Sequence, residues 1–101
     1  MKTTKWDAVK ASWPDRDTPQ YQAAYERARR ELELGLRVRE LRLAAGLSQS
    51  ALAKLVGTRQ PNIARLEAGG GMPRIDTLDR IAQALGAELV VSLQPTQRRA
   101  S

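Results

Sequence analysis

The chain has no cysteine and no histidine among its 101 residues. Without thiols there is no disulfide framework and no thiolate zinc site, and without imidazole the Ser-His and Cys-His nucleophile pairs are excluded. Phenylalanine is also missing, and aromatic residues make up only 4% of the sequence. The hydrophobic share is nonetheless 42%, carried by Leu, Ile, Val and Ala, which suits a bundle of short helices better than a β-sandwich. No apolar run approaches the roughly 20 residues that span a bilayer, and the first residues lack the apolar stretch of a secretory leader. These absences predict a soluble, cytoplasmic protein of one small domain with appendages. Asp15, Asp17, Glu26, Glu31 and Glu33 are spaced as a solvated helix face and a cap. The expectation is therefore no metal, no cofactor and no enzymatic activity.

What is present is positive charge, unevenly placed. The net charge is +6. Residues 1–34 carry seven basic and six acidic side chains, residues 35–94 carry eight and five, and Arg98 and Arg99 follow in the tail. An excess of cations on a small domain raises affinity for a polyanion by counterion release, although a solubilising surface has the same composition.

Residues 1–18 hold both tryptophans, Trp6 and Trp13, without a sustained apolar period, and read as an arm. Thr18-Pro19 is a helix start, a capping hydroxyl followed by a proline in the first turn. Tyr21, Tyr25, Ala28 and Leu32 then recur at helical spacing, and Leu34, Val38, Leu41 and Ala45 resume the stripe after Gly35. The stripe favours a nearly continuous run over two helices with a weak joint at Gly35. Gly46 ends it; Ser48 caps a helix over Gln49–Val56 that Gly57 stops. Arg59 or Gln60 opens the next, with Pro61 in its first turn, and Gly69-Gly70-Gly71 closes it. Asp76 caps or begins another helix that runs to Leu85. Leu34, Leu41, Leu47, Leu52, Leu66, Leu78, Ile81 and Leu85 are candidate core residues. Ala87–Leu93, β-branched and partly alternating, is the one strand candidate.

Residues 49–68 carry the functional signal. Ala53 leaves room for two helices to cross closely, and Gly57, four residues on, supplies the positive φ of a tight turn. Ile63 and Leu66 face Leu52, Leu55 and Val56. That leaves Thr58, Arg59, Gln60, Asn62 and Arg65 outside or at the start of the second helix. Long donors there can reach base edges in a groove about 12 Å wide, Arg pairing bidentately with guanine and Gln or Asn with adenine. The run LRLAAGLSQSALAKLVGTRQPNIARLEAG resembles the Xre/Cro family of phage-repressor helix-turn-helix domains. The likeness rests on its G-L-S-Q lead-in, A-x-x-x-G core, I-x-x-L-E finish and following glycine, and covers about residues 34–86.

The resemblance implies an all-α, five-helix repressor-type domain that binds double-stranded operator DNA. It places base readers at Gln60 and Arg65, a phosphate brace at Gln49, backbone and flanking-base contacts at Arg59 and Asn62, and a structural ion pair at Arg42 and Glu67. Pro61 departs from the family pattern, where many relatives carry a polar residue, and shifts base contacts toward Arg59, Gln60 and Arg65.

The flanks extend this reading. A helical extension (residues 19–33) before the domain and AELVVSL after it resemble, as an arrangement, antitoxins of the host-inhibition-of-growth (HigA) type. That likeness implies a ribonuclease-type toxin as partner and repression of the protein's own operon. A lone strand needs a partner for its backbone groups. Glu88, Leu89, Val90, Val91 and Leu93, within a strand over 87–94, are therefore expected to pair with a second copy in a homodimer, or else with their own domain or another protein. A basic tail (residues 95–101) follows. Trp6, Trp13, Tyr21 and Tyr25 are candidate contacts to the toxin, unless the tryptophans fold back onto the tyrosines. Two other readings remain: a stand-alone regulator whose flanks serve only dimerisation, and an adaptor that binds protein instead of DNA.

Overall fold

A threonine and a proline set the start of the longest element. Thr18 holds extended backbone while its Oγ1 accepts the Tyr21 N–H at 3.1 Å, and Pro19 fills the first turn. From there α1 runs over Pro19–Ala44 without interruption, 26 residues or about 39 Å at helical rise. Gly46, at φ 73°, ends it, and the Leu47 N–H turns back to the Arg42 carbonyl at 3.1 Å. On the exposed side Arg29 bridges Glu26 and Glu33, each at 2.9 Å, supporting the first half of the helix.

The computed structural model describes Lys5 and residues 18–96. After α1 come α2 (Gln49–Val56), α3 (Gln60–Glu67) and α4 (Ile75–Ala84). The core forms where they meet: Val38 of α1, Leu52, Ala53 and Val56 of α2, Ile63 and Leu66 of α3, and Ile81 of α4, with Leu34, Leu47, Ala84 and Leu85 packed on its margin. Leu52 and Ile63 are its fully enclosed centre.

Several expectations are corrected by this architecture. Among the described residues there are four helices and no strand, not five helices and a C-terminal strand. The five came from the family resemblance, whereas the favoured continuous run through Gly35 is what α1 shows. A glycine inside a helix costs only about 1 kcal/mol relative to alanine, and this one is buried against α3, where any Cβ would collide with the Leu66 carbonyl oxygen and lie 2.9 Å from that of Glu67. The predicted strand over 87–94 is not formed: among the described residues this segment has no ladder partner. The Ala87 N–H bonds back to Ala82 at 2.8 Å, and the rest runs over the surface, with Glu88, Val90, Val91 and Leu93 exposed and Leu89 half-buried.

Two smaller corrections concern the helices themselves. Leu55 is 62% exposed rather than facing Ile63. Leu52, Ala53 and Val56 already define the buried face of α2, and Leu55 lies roughly a quarter-turn off it. Asp76 does not cap α4. Arg74 holds the cap position without a side-chain bond, and Asp76, inside the first turn, accepts the Thr77 N–H at 2.8 Å.

Candidate nucleic-acid interface

The interface is built on the α2–α3 pair. Ser48 starts α2, its Oγ accepting the Ala51 N–H at 3.0 Å. Gly57 stops it in the left-handed region, φ 84°, so its own N–H and that of Thr58 both reach the Ala53 carbonyl at 2.9 Å. Ala53 itself is 3% exposed, so the crossing admits nothing larger without displacement. These constraints aim the start of α3 outward. Its first turn holds Pro61, which has no N–H to satisfy, and no acidic residue, so the positive end of the helix dipole is left uncompensated.

Ile63 and Leu66 anchor α3 inward, and Arg59, Gln60, Asn62 and Arg65 are all exposed. Two pairs among the candidate readers are tied together. Gln60 Nε2 donates to Gln49 Oε1 at 2.8 Å, and Asn62 Nδ2 donates to Thr58 Oγ1 at 2.8 Å. The Arg59 and Arg65 side chains show no hydrogen bond or ion pair with the described residues, which leaves both guanidinium groups available to a ligand.

Gln49 also continues inward. Its Nε2 donates to Glu67 Oε1 at 3.1 Å. Arg42 holds the same carboxylate in a fork, Nε to Oε2 at 2.6 Å and a terminal nitrogen to Oε1 at 3.0 Å, while its other terminal nitrogen reaches the Leu47 carbonyl at 2.8 Å. The Arg42 and Glu67 side chains are only 9% and 4% exposed. Burial pushes the Glu67 carboxyl up, but the bonds from Arg42 and Gln49 outweigh it and hold the group below the ordinary glutamate range. A four-residue relay, Arg42–Glu67–Gln49–Gln60, thus joins the centre of the domain to the first residue of α3.

The other candidates lie elsewhere. Tyr21 is buried and Tyr25 half-buried, their rings stacked with centroids 6.3 Å apart. Trp6 and Trp13 lie outside the described residues. Leu89 and Val91 border a shallow recess with Arg74, Ile75, Asp76 and Asp79, on the flank of α4. Sequence reasoning missed Arg74 and Thr77, which join Thr58, Asn62 and Arg65 around a concave surface of about 300 Å³ beside α3. A lone cation after a glycine run was the available signal for Arg74.

Two short helices around a left-handed glycine, with the outer helix presenting long donors, define a DNA-binding regulator of the helix-turn-helix class. The helix-turn-helix family model HTH_3 matches residues 38–91, more than half the chain, and the protein belongs to that Xre-type family.

Among curated relatives, antitoxin HigA1 of Mycobacterium tuberculosis is 42% identical over 59 residues, and the putative antitoxin HigA2 of the same species 37% over 59. Each match takes in 57% of this chain, and the chain spans 40% of HigA1 and 58% of HigA2. Among solved structures, the restriction-modification controller protein C.AhdI of Aeromonas hydrophila superposes with TM-score 0.58 at 34% identity, covering 60% of this chain and 88% of its own. A chain of a toxin–antitoxin module from Streptococcus pneumoniae superposes with TM-score 0.53 at 26% identity, covering 93% of this chain and 97% of its own.

Proposed function

We propose that this protein is a sequence-specific transcriptional repressor that acts as the antitoxin of a type II toxin–antitoxin pair, neutralising a ribonuclease-type toxin and repressing its own operon in the cytoplasm. The observation that carries the DNA half is the outward face of α3, where Gln60 in the first turn and Arg65 in the last are exposed with Arg59 and Asn62. In this reading the Gln49–Gln60 bond sets Gln60 for an adenine edge and presents Gln49 to the adjoining phosphate, while Arg65 pairs with guanine. Gln60→Ala and Arg65→Ala are each expected to weaken binding to the operator by about 1–3 kcal/mol and to relax preference at one base pair. Footprinting and titration on the promoter DNA of the protein's own operon measure both effects, and unchanged binding by both variants would turn the reading toward a protein-binding adaptor.

The antitoxin half draws on the likeness to HigA1 and HigA2 and on the extent of the Streptococcus match, which takes in the flanks as well as the domain. The first half of α1, with Tyr21 and Tyr25, and the arm with Trp6 and Trp13 are the partner-binding region in this reading. Co-expression with the product of the adjacent reading frame tests it. A stable complex and relief of growth arrest are expected, and Trp6→Ala/Trp13→Ala is expected to weaken the complex in a calorimetric titration. A neighbouring product that neither binds nor arrests growth would favour a stand-alone regulator, the reading that the C.AhdI match, confined to 60% of the chain, also supports.

A homodimer fits both versions. Two α3 helices must stand about one DNA turn, roughly 34 Å, apart to read a palindromic site. The exposed Ile75, Val90, Val91 and Leu93 are an apolar surface of the kind a second copy covers.

A further inference from the structure

Three glycines follow α3 in a row, and each stands there for a different reason. Gly69 has φ +78°, and a Cβ on it would press on Leu32 Cδ2 at 2.7 Å. Gly71 has φ +133° with open space around it, so backbone conformation alone demands glycine. Gly70 lacks the positive φ of both. Its φ is outside the left-handed region, so no dihedral excludes an ordinary side chain.

What its bare Cα leaves room for is Arg65. A Cβ at position 70 would lie 2.5 Å from Arg65 Cγ, 3.4 Å from its Cδ and 2.9 Å from its carbonyl oxygen. That carbonyl already accepts the Gly70 N–H at 2.8 Å, which holds the loop against the last turn of α3. The aliphatic stem of Arg65 therefore lies across Gly70, its guanidinium is unbonded, and the residue lines the concave surface together with Asn62 and Thr58.

We propose that Gly70 is a positioning residue for DNA readout: its missing side chain is the seat that fixes the Arg65 stem and so directs the guanidinium to one base pair. An exposed arginine otherwise loses several rotors when it binds, and a stem already laid against the loop has less to lose. The inference rests on the reading of Arg65 as a base-contacting residue. Adding one methyl group at position 70 forces the Arg65 stem aside and, by crowding the Arg65 carbonyl oxygen, shifts the loop slightly from α3.

The test uses four full-length proteins: parent, Gly70→Ala, Arg65→Ala and the double variant. Each selects from a duplex library randomised over the binding site, and each is titrated with the parent's preferred duplex and melted thermally. Arg65→Ala is expected to erase preference at one base pair. Gly70→Ala is expected to flatten preference at that same base pair and to weaken binding about two- to tenfold, the range for ordering one flexible side chain. In the double variant the preference profile is expected to match that of Arg65→Ala alone. If Gly70→Ala does not fold, the double variant is expected to recover in part, because the colliding Cγ is gone while the position-65 carbonyl oxygen still lies 2.9 Å from the added Cβ; failure to recover at all overturns the proposal. It is equally overturned if Gly70→Ala keeps the parent's profile, or if its loss of preference recurs in full on the Arg65→Ala background. Should Arg65→Ala alone leave every preference intact, the base-reading role of Arg65 has failed, and the inference falls with it for that separate reason.

Discussion

Arg42→Met is expected to lower the stability of the protein by about 3–5 kcal/mol in urea unfolding near neutral pH, the range for removing one partner of a buried ion pair. The substitution keeps the bulk of the stem and deletes the fork, so what it exposes is the fate of Glu67. That carboxylate has a side chain 4% exposed and would retain only the Gln49 amide as a donor. The Leu47 carbonyl would lose its arginine donor as well.

The pH dependence gives the sign of the effect. In the parent the folded Glu67 titrates below the ordinary range, so its contribution is complete above the unfolded glutamate's value and is lost as pH falls through the folded one. In Arg42→Met burial is opposed only by the Gln49 bond and the Arg39 charge, so the group is expected to titrate higher than in the parent. The variant then gains relative stability on acidification. The difference between the two proteins is accordingly expected to be largest near pH 7 and to shrink toward pH 4–5. A constant difference across that span would mean that Glu67 is not the group left stranded. The double variant Arg42→Met/Glu67→Leu is expected to recover most of the loss, because a well-packed apolar pair needs no desolvation to be repaid.

Gly35→Val is the second large effect, expected at about 3 kcal/mol or more, the upper part of the overpacking range. Valine alone would be tolerated in an exposed helix and would even gain over glycine in propensity. Here the obstacle is main chain: a Cβ collides with the Leu66 carbonyl oxygen and meets the Glu67 carbonyl carbon at 3.0 Å. Neither atom can rotate away as a side chain would, so α1 and α3 must separate. Loss of thermal stability together with weakened DNA binding is the expected outcome. A variant that melts like the parent would mean that the two helices can part at little cost.

The bounds of α2 and the start of α1 were legible because short-range chemistry sets them. Ser48 and Thr18 cap with their own hydroxyls, and Gly57 alone satisfies the turn, so composition within three or four residues was enough. Gly35, Gly70 and Leu55 were illegible for the opposite reason. What each touches is distant in sequence or depends on which quarter of a helix is covered, and neither is encoded in a local period. The helix start at Ile75 was misplaced because Asp76 has the chemistry of a cap, yet its carboxylate bonds inside the first turn instead. The segment after Gly86 has strand composition, but a strand is a property of two segments, and residues 87–96 run past α4 without a second. In the candidate interface, side-chain types and spacing named the exposed donors. The relay that ties Gln60 through Gln49 to Glu67 required coordinates, because amide partners follow from orientation.

The unbroken course of α1 has a mechanical consequence. Sixteen residue steps separate Pro19 from Gly35, about 24 Å of helix, and nine separate Gly35 from Ala44, about 14 Å. The point between these spans rests on the backbone of Leu66 and Glu67, at the far end of the helix proposed to read DNA. The element is a lever with its fulcrum there and no hinge along its length. A tilt of about 5° around that point carries the outer end some 2 Å and the inner end about half as far. A load taken up near Pro19 would therefore press on the C-terminal end of α3 at the fulcrum, with no flexible joint in between to absorb it.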